Sequence, residues 1–299
     1  MKVDSKFAKM IETGDFIVTA ECAPGATTTD TAAGISLKAI GAKPVAVNLA
    51  DNAHGVALSS VAGSLAALKV GAEPVLQMVT RDRNRIALQS DLLGAASLGI
   101  KNVLCLSGYH QTLTSCPESA NVFDVDSTQF IQMTARMSDS GVLADGTKIN
   151  GSFSMLVGAV ANPFLKPLEL NLLRLRKKIE AGARFIQTHA VFDVNAFTVW
   201  LAAARKEGLT EKAAILAGVY PLESAAEAQK LRDTYAEYCI PDEIIDRLKR
   251  AGNSSKQEGL ALCVEIIKQL KTLDGLRGIH VLSGGREAAV PEILGGAGL

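Results

Sequence analysis

No charge of either sign is in excess in this sequence: 31 Lys and Arg stand against 31 Asp and Glu, and the formal net charge is zero. A neutral chain without a basic run argues against nucleic acid or an anionic membrane as its main partner. Long hydrophobic runs are missing too, since no apolar stretch reaches the roughly 18 residues needed to cross a bilayer. The opening Met1-Lys2-Val3-Asp4-Ser5-Lys6 starts a short polar helix and lacks the apolar segment of a signal peptide. The five cysteines, Cys22, Cys105, Cys116, Cys239 and Cys263, are scattered and odd in number, with no C-x-x-C pair. That pattern points to reduced thiols in the cytoplasm and away from a zinc or iron–sulfur site built by this chain alone. No G-x-G-x-x-G follows a strand pattern, so a Rossmann dinucleotide site is not indicated. The H-x-H typical of the first strand of metal-dependent barrel hydrolases is also missing.

What is present is a large apolar fraction, 48% of 299 residues, enough for one sizeable core. A joint recurs along the chain: Gly41-Ala42-Lys43-Pro44-Val45, Gly71-Ala72-Glu73-Pro74-Val75, Gly99-Ile100-Lys101-Asn102-Val103 and Gly182-Ala183-Arg184-Phe185-Ile186. Each has a helix-ending glycine, a short turn and an apolar run that reads as a buried parallel strand. Such runs begin at Phe16, Pro44, Pro74, Asn102, Phe153, Phe185, Ala214 and Gly278. Helical patterns fill the intervals 30–40, 55–70, 83–98, 127–139, 167–181, 194–207 and a longer region, 222–272. Strands alternating with helices in this number predict an α/β fold, a closed (β/α)8 TIM barrel forming a single domain over residues 1–299. Residues 108–126 form a long connection after the fourth strand, of the kind that carries active-site groups on barrels. Residues 141–151 read as a hairpin or polar turn.

On a barrel, polar side chains at strand ends are the candidates for chemistry. Glu21 closes Phe16-Ile17-Val18-Thr19-Ala20-Glu21-Cys22, and alternation puts Ile17, Thr19 and Glu21 on one face. Desolvation there would raise its pKa and suit it to act as a general acid; the alternative is a glutamate paired with a barrel Arg or Lys. His189 ends the sixth strand with Gln187 on the same face, offering hydrogen bonds to a polar ring or serving only the packing. His54 and His110 follow the second and fourth strands, so a three-histidine metal site is a further, weakly supported reading. Ser283-Gly284-Gly285-Arg286 follows the eighth strand and reads either as a phosphate-approaching turn or as a plain one. Arg174, Arg176, Lys177 and Lys178 form a basic cluster on one helix, either a solvated face or a contact for a cofactor phosphate.

Taken together and in order, several segments resemble the methylenetetrahydrofolate reductases, most of all the short forms of acetogenic and related anaerobic bacteria. They are Thr19-Ala20-Glu21-Cys22-Ala23-Pro24, Asn102-Val103-Leu104-Cys105-Leu106-Ser107-Gly108, Lys177-Lys178-Ile179-Glu180-Ala181-Gly182-Ala183, Phe185-Ile186-Gln187-Thr188-His189-Ala190-Val191-Phe192-Asp193 and Gly218-Val219-Tyr220-Pro221-Leu222. Gly278-Ile279-His280-Val281 and Ala289-Val290-Pro291-Glu292-Ile293 continue the likeness to the C-terminus.

The resemblance implies a barrel that holds a flavin, FAD or in some relatives FMN, and passes a hydride to 5,10-methylenetetrahydrofolate in one-carbon metabolism. Glu21 matches the family's acid. Asn48, Gln77, Ser107, Gly108, Tyr109, Val160, Lys177 and Lys178 match flavin-contacting positions, and His189 with Gln187 would meet the folate. Several of these differ from the family's pattern. Tyr109 replaces an Asp, His189 a Gln, Gln77 a His, Ser107 an Arg and Val160 a Tyr, while Ala225 stands where some members carry a stacking aromatic residue. No metal is implied. The resemblance also implies an oligomer, and as electron donor either NADH or NADPH, used directly by some relatives, or, as in anaerobic ones, a cysteine-rich partner subunit carrying metal clusters. The alternatives are a non-catalytic or altered-specificity subunit of a larger redox or methyl-transfer complex, and a pterin-dependent methyltransferase that would need a corrinoid protein. No regulatory domain follows the barrel, so control by S-adenosylmethionine is not expected.

Overall fold

The structure, a computed structural model, describes residues 3–235 and 237–299. Met1 and Lys2 of the N-terminal segment lie outside the described residues; the helix expected there is α1 (Lys6–Thr13). Eight parallel strands close in sequence order into a barrel. They are β1 (Ile17–Cys22), β2 (Ala46–Leu49), β3 (Pro74–Val79), β4 (Asn102–Leu106), β5 (Leu156–Ala161), β6 (Phe185–Ala190), β7 (Ala214–Val219) and β8 (Gly278–Val281). Around them lie α2 (Asp30–Ile40), α3 (Ser60–Lys69), α4 (Arg85–Ser97), α5 (Ser127–Ser140), α6 (Leu168–Glu180), α7 (Val194–Lys206) and the one-turn α8 (Leu209–Lys212). The ring ends with α9 (Ala225–Thr234), α10 (Asp242–Ala251), α11 (Ser255–Leu270) and α12 (Val290–Gly296). Closure is sealed by β1 against β8, with Ile17 opposite Gly278 and Thr19 opposite His280.

The predicted elements are nearly all present, α8 and α12 are additions to them, and the main shifts are in β2, β5, α3 and the region 222–272. The ladders of β2 and β5 begin two and three residues later than expected, at Ala46 and Leu156. The helix expected from 55 starts at Ser60, capped by Ser59, whose side chain accepts from the Ala62 N–H at 3.3 Å. The region 222–272 is three helices: Pro241 opens α10, and Gly252, at φ 52°, ends it. Between 141 and 151 a single antiparallel bridge joins Val142 to Lys148, the hairpin expected there.

Two apolar layers result. One lies between strands and helices, where Phe130, Phe197 and Trp200 are buried. The other fills the lower half of the barrel, where Ile17, Val75, Leu104, Phe185 and Leu216 point inward. Phe7 of α1 closes this end, its ring centroid 4.7 Å from that of Phe185. Phe185 also explains Gly158 opposite it, since a Cβ there would lie 2.1 Å from the Phe185 ring. The Glu73 carboxylate holds the plug in place by accepting from the Lys6 and Phe7 N–H groups, at 2.7 and 3.0 Å, at the start of α1. With this end packed shut, only the C-terminal ends of the strands can admit a ligand.

Candidate active site at the barrel mouth

Above the apolar plug the interior turns polar. Thr19 (β1), Asn48 (β2), Gln187 (β6) and His280 (β8) are all buried there. The Gln187 amide donates to Thr19 Oγ1 and to Asn48 Oδ1, both at 3.1 Å, and accepts from Asn48 Nδ2 at 2.7 Å. Burial pushes the His280 imidazole down to about 3, so the ring is neutral across the physiological range.

One layer higher, the mouth opens into a cavity of about 590 Å³. Glu21 and Gln77 stand on its wall, with Leu104, Leu106, Val160 and Leu282 as apolar neighbours. Burial pushes the Glu21 carboxyl up to about 7; a hydrogen bond from Gln77 Nε2 at 3.4 Å opposes the rise, and the charge of Glu287 adds to it. Glu287 is itself buried, accepting from the Ala23 N–H at 3.1 Å. Among the described residues no Arg or Lys is paired with Glu21, so the paired-glutamate alternative does not hold.

A smaller cavity of about 360 Å³ adjoins the first, and the two share Tyr109, Val160 and His189. Lys178 and Arg174 line it from α6. Lys178 donates to the Val160 carbonyl at 2.6 Å, and burial pushes its amine down to about 8, with Arg174 lowering it further and Asp126 opposing. The basic cluster thus divides by helical phase: Arg174 and Lys178, four apart, face the cavity, whereas Lys177 is exposed and Arg176 pairs outside with Glu207 at 2.6 Å.

The β4 loop is tied down from below. Gly108 sits at φ 83° with Val79 and Arg81 so close that a Cβ would lie 3.1–3.2 Å from them. Arg81 donates to the carbonyls of Tyr109 and Asn52, at 3.2 and 2.8 Å, linking the loops after β2 and β4. Tyr109 donates to Glu237 and has Tyr235 at 5.1 Å between ring centroids and His54 at 5.8 Å. The row continues from Tyr235 to Tyr238 at 6.0 Å and on to Tyr220 at 5.9 Å. These are all four tyrosines of the chain. Burial and the Glu237 charge both raise the Tyr109 pKa, so its hydroxyl stays a donor. Burial also lowers His189, with Glu237 opposing and Lys178 assisting, and keeps the ring neutral.

Of the residues singled out from the sequence, Glu21, Gln77, Ser107, Gly108, Tyr109, Val160, Gln187 and His189 line the larger cavity, and Lys178 the smaller. Asn48 does not reach either: its amide is engaged with Gln187 one layer below. Lys177 points away, and Ala225 opens α9 without lining a cavity. The three histidines do not converge. His54 lines the mouth, while His110 is exposed and bonded to Thr112, and no His, Cys, Asp and Glu cluster fit for a metal occurs among the described residues. Arg286 is committed to Glu227, Glu223 and the Pro221 carbonyl, whereas Gly284 and Gly285 of the same turn line the larger cavity. Sequence reasoning missed Glu237, Tyr235 and Tyr238, which come from the loop after α9, and Glu287; nothing in their local pattern marks them.

A family model described as methylenetetrahydrofolate reductase matches residues 6–298. The chain belongs to the methylenetetrahydrofolate reductase family. A curated relative, the probable methylenetetrahydrofolate reductase (NADPH) of Caenorhabditis elegans, is 24% identical over 234 residues, 75% of this chain. The chain spans about a third, 32%, of that relative's length. Among solved structures, an uncharacterized protein from Clostridium thermocellum that binds two copies of 5-methyl-5,6,7,8-tetrahydrofolic acid superposes with a TM-score of 0.67. It is 15% identical, and the match covers 96% of this chain and 97% of that one, a likeness of fold. No helix among the described residues is long and apolar enough to cross a membrane. Of the positions at which the sequence was read as differing from the family's pattern, Gln77, Ser107, Tyr109, Val160 and His189 line the cavities and Ala225 does not.

Proposed function

We propose that this protein is a flavin-dependent reductase that converts 5,10-methylenetetrahydrofolate to 5-methyltetrahydrofolate. The observation that carries the reading is Glu21, a carboxyl without a cationic partner, raised to about 7 on the wall of the larger cavity. Such a group is half protonated near neutral pH and can both give and regain a proton.

The donor set fits a flavin. Leu104, Leu106, Val160 and Leu282 offer an apolar wall for a flat ring system. Lys178, half-buried and bonded among the described residues only to a backbone carbonyl, offers with Arg174 positive charge for a phosphate. Bound there, the flavin would supply a hydride. The chain's own residues would do the rest. Glu21 would protonate the bridging N10 of the folate, the bond from the one-carbon unit to N10 would break, and the N5 iminium formed would accept hydride at its carbon. Gln77 would hold Glu21 toward the cavity, and His189 would hydrogen-bond the pterin in place of the family's glutamine. Electrons would come either from NADH or NADPH directly or from a cysteine-rich partner subunit, which would have to supply any metal cluster since this chain has no C-x-x-C pair; an oligomer and a cytoplasmic setting go with this reading.

A second reading, a non-catalytic or altered-specificity subunit of a larger redox or methyl-transfer complex, draws on one feature. The Tyr109–Glu237 hydrogen bond stands where the two cavities meet, at the position of the family's Asp. Mixing flavin-reconstituted protein anaerobically with 5-methyltetrahydrofolate separates the two. Bleaching of the flavin absorbance supports the reductase, and bound flavin that does not bleach rejects the folate reaction. Failure to bind any flavin favours the docking subunit.

A further inference from the structure

His280 has no part in the chemistry above, although it lines the larger cavity from inside the barrel while being only 2% exposed. Both of its hydrogen bonds fall on one atom: Nδ1 lies 2.9 Å from Thr19 Oγ1 and 3.3 Å from Gln187 Nε2. Gln187 Nε2 is an amide donor, its other face locked to Asn48. The Thr19 hydroxyl has Nδ1 as its nearest acceptor, the Ile279 carbonyl being 3.5 Å away. With both Gln187 amide hydrogens engaged by Thr19 and Asn48, the Thr19 hydroxyl is the donor to Nδ1, which accepts, and the proton of the neutral ring belongs on Nε2. Among the described residues none bonds Nε2, and Nε2 is not one of the sealed, unpartnered atoms of the interior. It is left facing the cavity.

An N–H facing the cavity is served by water in the free protein, so a ligand that displaces that water gains by bringing an acceptor of its own. The donor's chemistry narrows the ligand. A neutral donor in a cavity that also holds the Glu21 carboxyl does not suit a phosphate or carboxylate, for which Lys178 and Arg174 are placed. The aliphatic residues beside it suit a flat ring.

We propose that His280 is a ligand-positioning residue whose Nε2–H, on the floor of the larger cavity, donates to the lactam carbonyl oxygen of a pteridine-type ring. Isoalloxazine and pterin share that group. The inference rests on the reductase reading for the ligand class, and its test separates the two. The network below would fix the tautomer: Thr19, Gln187 and Asn48 hold Nδ1 as an acceptor, and so hold the donor toward the ligand.

Long-range proton–nitrogen NMR of the labelled protein reads the imidazoles directly, and only four histidines need assignment. The free protein should show His280 as the Nε2–H tautomer, without titration between about pH 5 and 9. FAD alone and 5-methyltetrahydrofolate alone are then added in separate arms, and the arm that shifts Nε2 identifies the ring that sits on it. His280→Asn keeps an acceptor at the Nδ1 position and removes the donor; it should weaken that ligand roughly tenfold. His280→Gln, which can place an amide N–H near Nε2, should recover most of the loss. An Nδ1–H tautomer, or an Nε2 unmoved by both ligands at saturation, overturns the proposal and leaves the reductase reading standing. If His280→Asn fails to fold, the wild-type spectra decide alone. If neither ligand binds wild-type protein, both readings fall.

Discussion

The side-chain amides of Asn48 and Gln187 face each other across the barrel interior and bond reciprocally, at 2.7 and 3.1 Å. Gln187 also reaches Thr19 and His280, so one side chain satisfies three strands at the level where the apolar plug ends. Replacing Gln187 by Leu leaves the Asn48 amide buried without its partner. The expected cost is about 1–3 kcal/mol, read as a lower urea midpoint at unchanged slope. An unchanged midpoint would mean that water replaces the amide at no cost.

Glu21 makes a pH prediction whose sign can be worked out. Its folded pKa, about 7, lies above the ordinary 4.5, so the folded state holds the proton more tightly than the unfolded chain does. That contribution is fully present below about pH 4.5 and is lost as pH rises through 7. Urea midpoints compared at pH 5 and pH 8 should therefore fall with pH in the wild type, and less in Glu21→Gln. The same substitution should leave flavin binding intact and remove most folate-linked turnover; full turnover would reject the acid role.

The division of the basic cluster is tested by two neighbouring lysines. Lys178→Met should weaken FAD by about tenfold or more, as expected for a lost charged hydrogen bond, and leave riboflavin, which lacks phosphate, nearly unaffected. Lys177→Met should change neither, because Lys177 is exposed away from the cavities. Fluorescence quenching of each flavin on binding measures all four cases. Equal losses for FAD and riboflavin would place Lys178 away from the phosphate.

At the opposite end of the barrel, Phe7→Ala removes the plug over Phe185. A fully buried phenylalanine lost in this way costs about 3–5 kcal/mol. The loss should appear as a lower thermal midpoint, with the ligand affinity of the surviving folded protein unaltered. A change in affinity would mean that the plug transmits strain through the polar layer.

The fold was legible because its joints are stereotyped: helix-ending glycines at 41, 71, 99 and 182 each precede a strand by a few residues. Where punctuation falls inside a continuing helical pattern, as at Pro241 and Gly252, three helices read as one region. Glu21 was legible because alternation along β1 fixes its face. Lys177 and Lys178 were not separable as a basic pair, yet the buried Leu172, Leu175 and Ile179 set a helical phase that puts Lys178 nearer the barrel. Glu237 and the tyrosines beside it could not be read. Their place over the mouth depends on how the loop after α9 returns across the barrel, a long-range outcome with no local periodicity.

The distribution of chromophores has a practical consequence. Every tyrosine stands in the row over the mouth, whereas the single tryptophan, Trp200, is buried between helices and strands with its indole N–H donating to Asn171. The unmodified chain therefore carries two optical reporters in separate places. Tyrosine near-ultraviolet dichroism follows ordering of the entrance, and tryptophan emission follows loosening of the outer layer. A ligand that changes the first signal without the second would be acting at the entrance while the scaffold stays still, and no introduced label would be needed to see it.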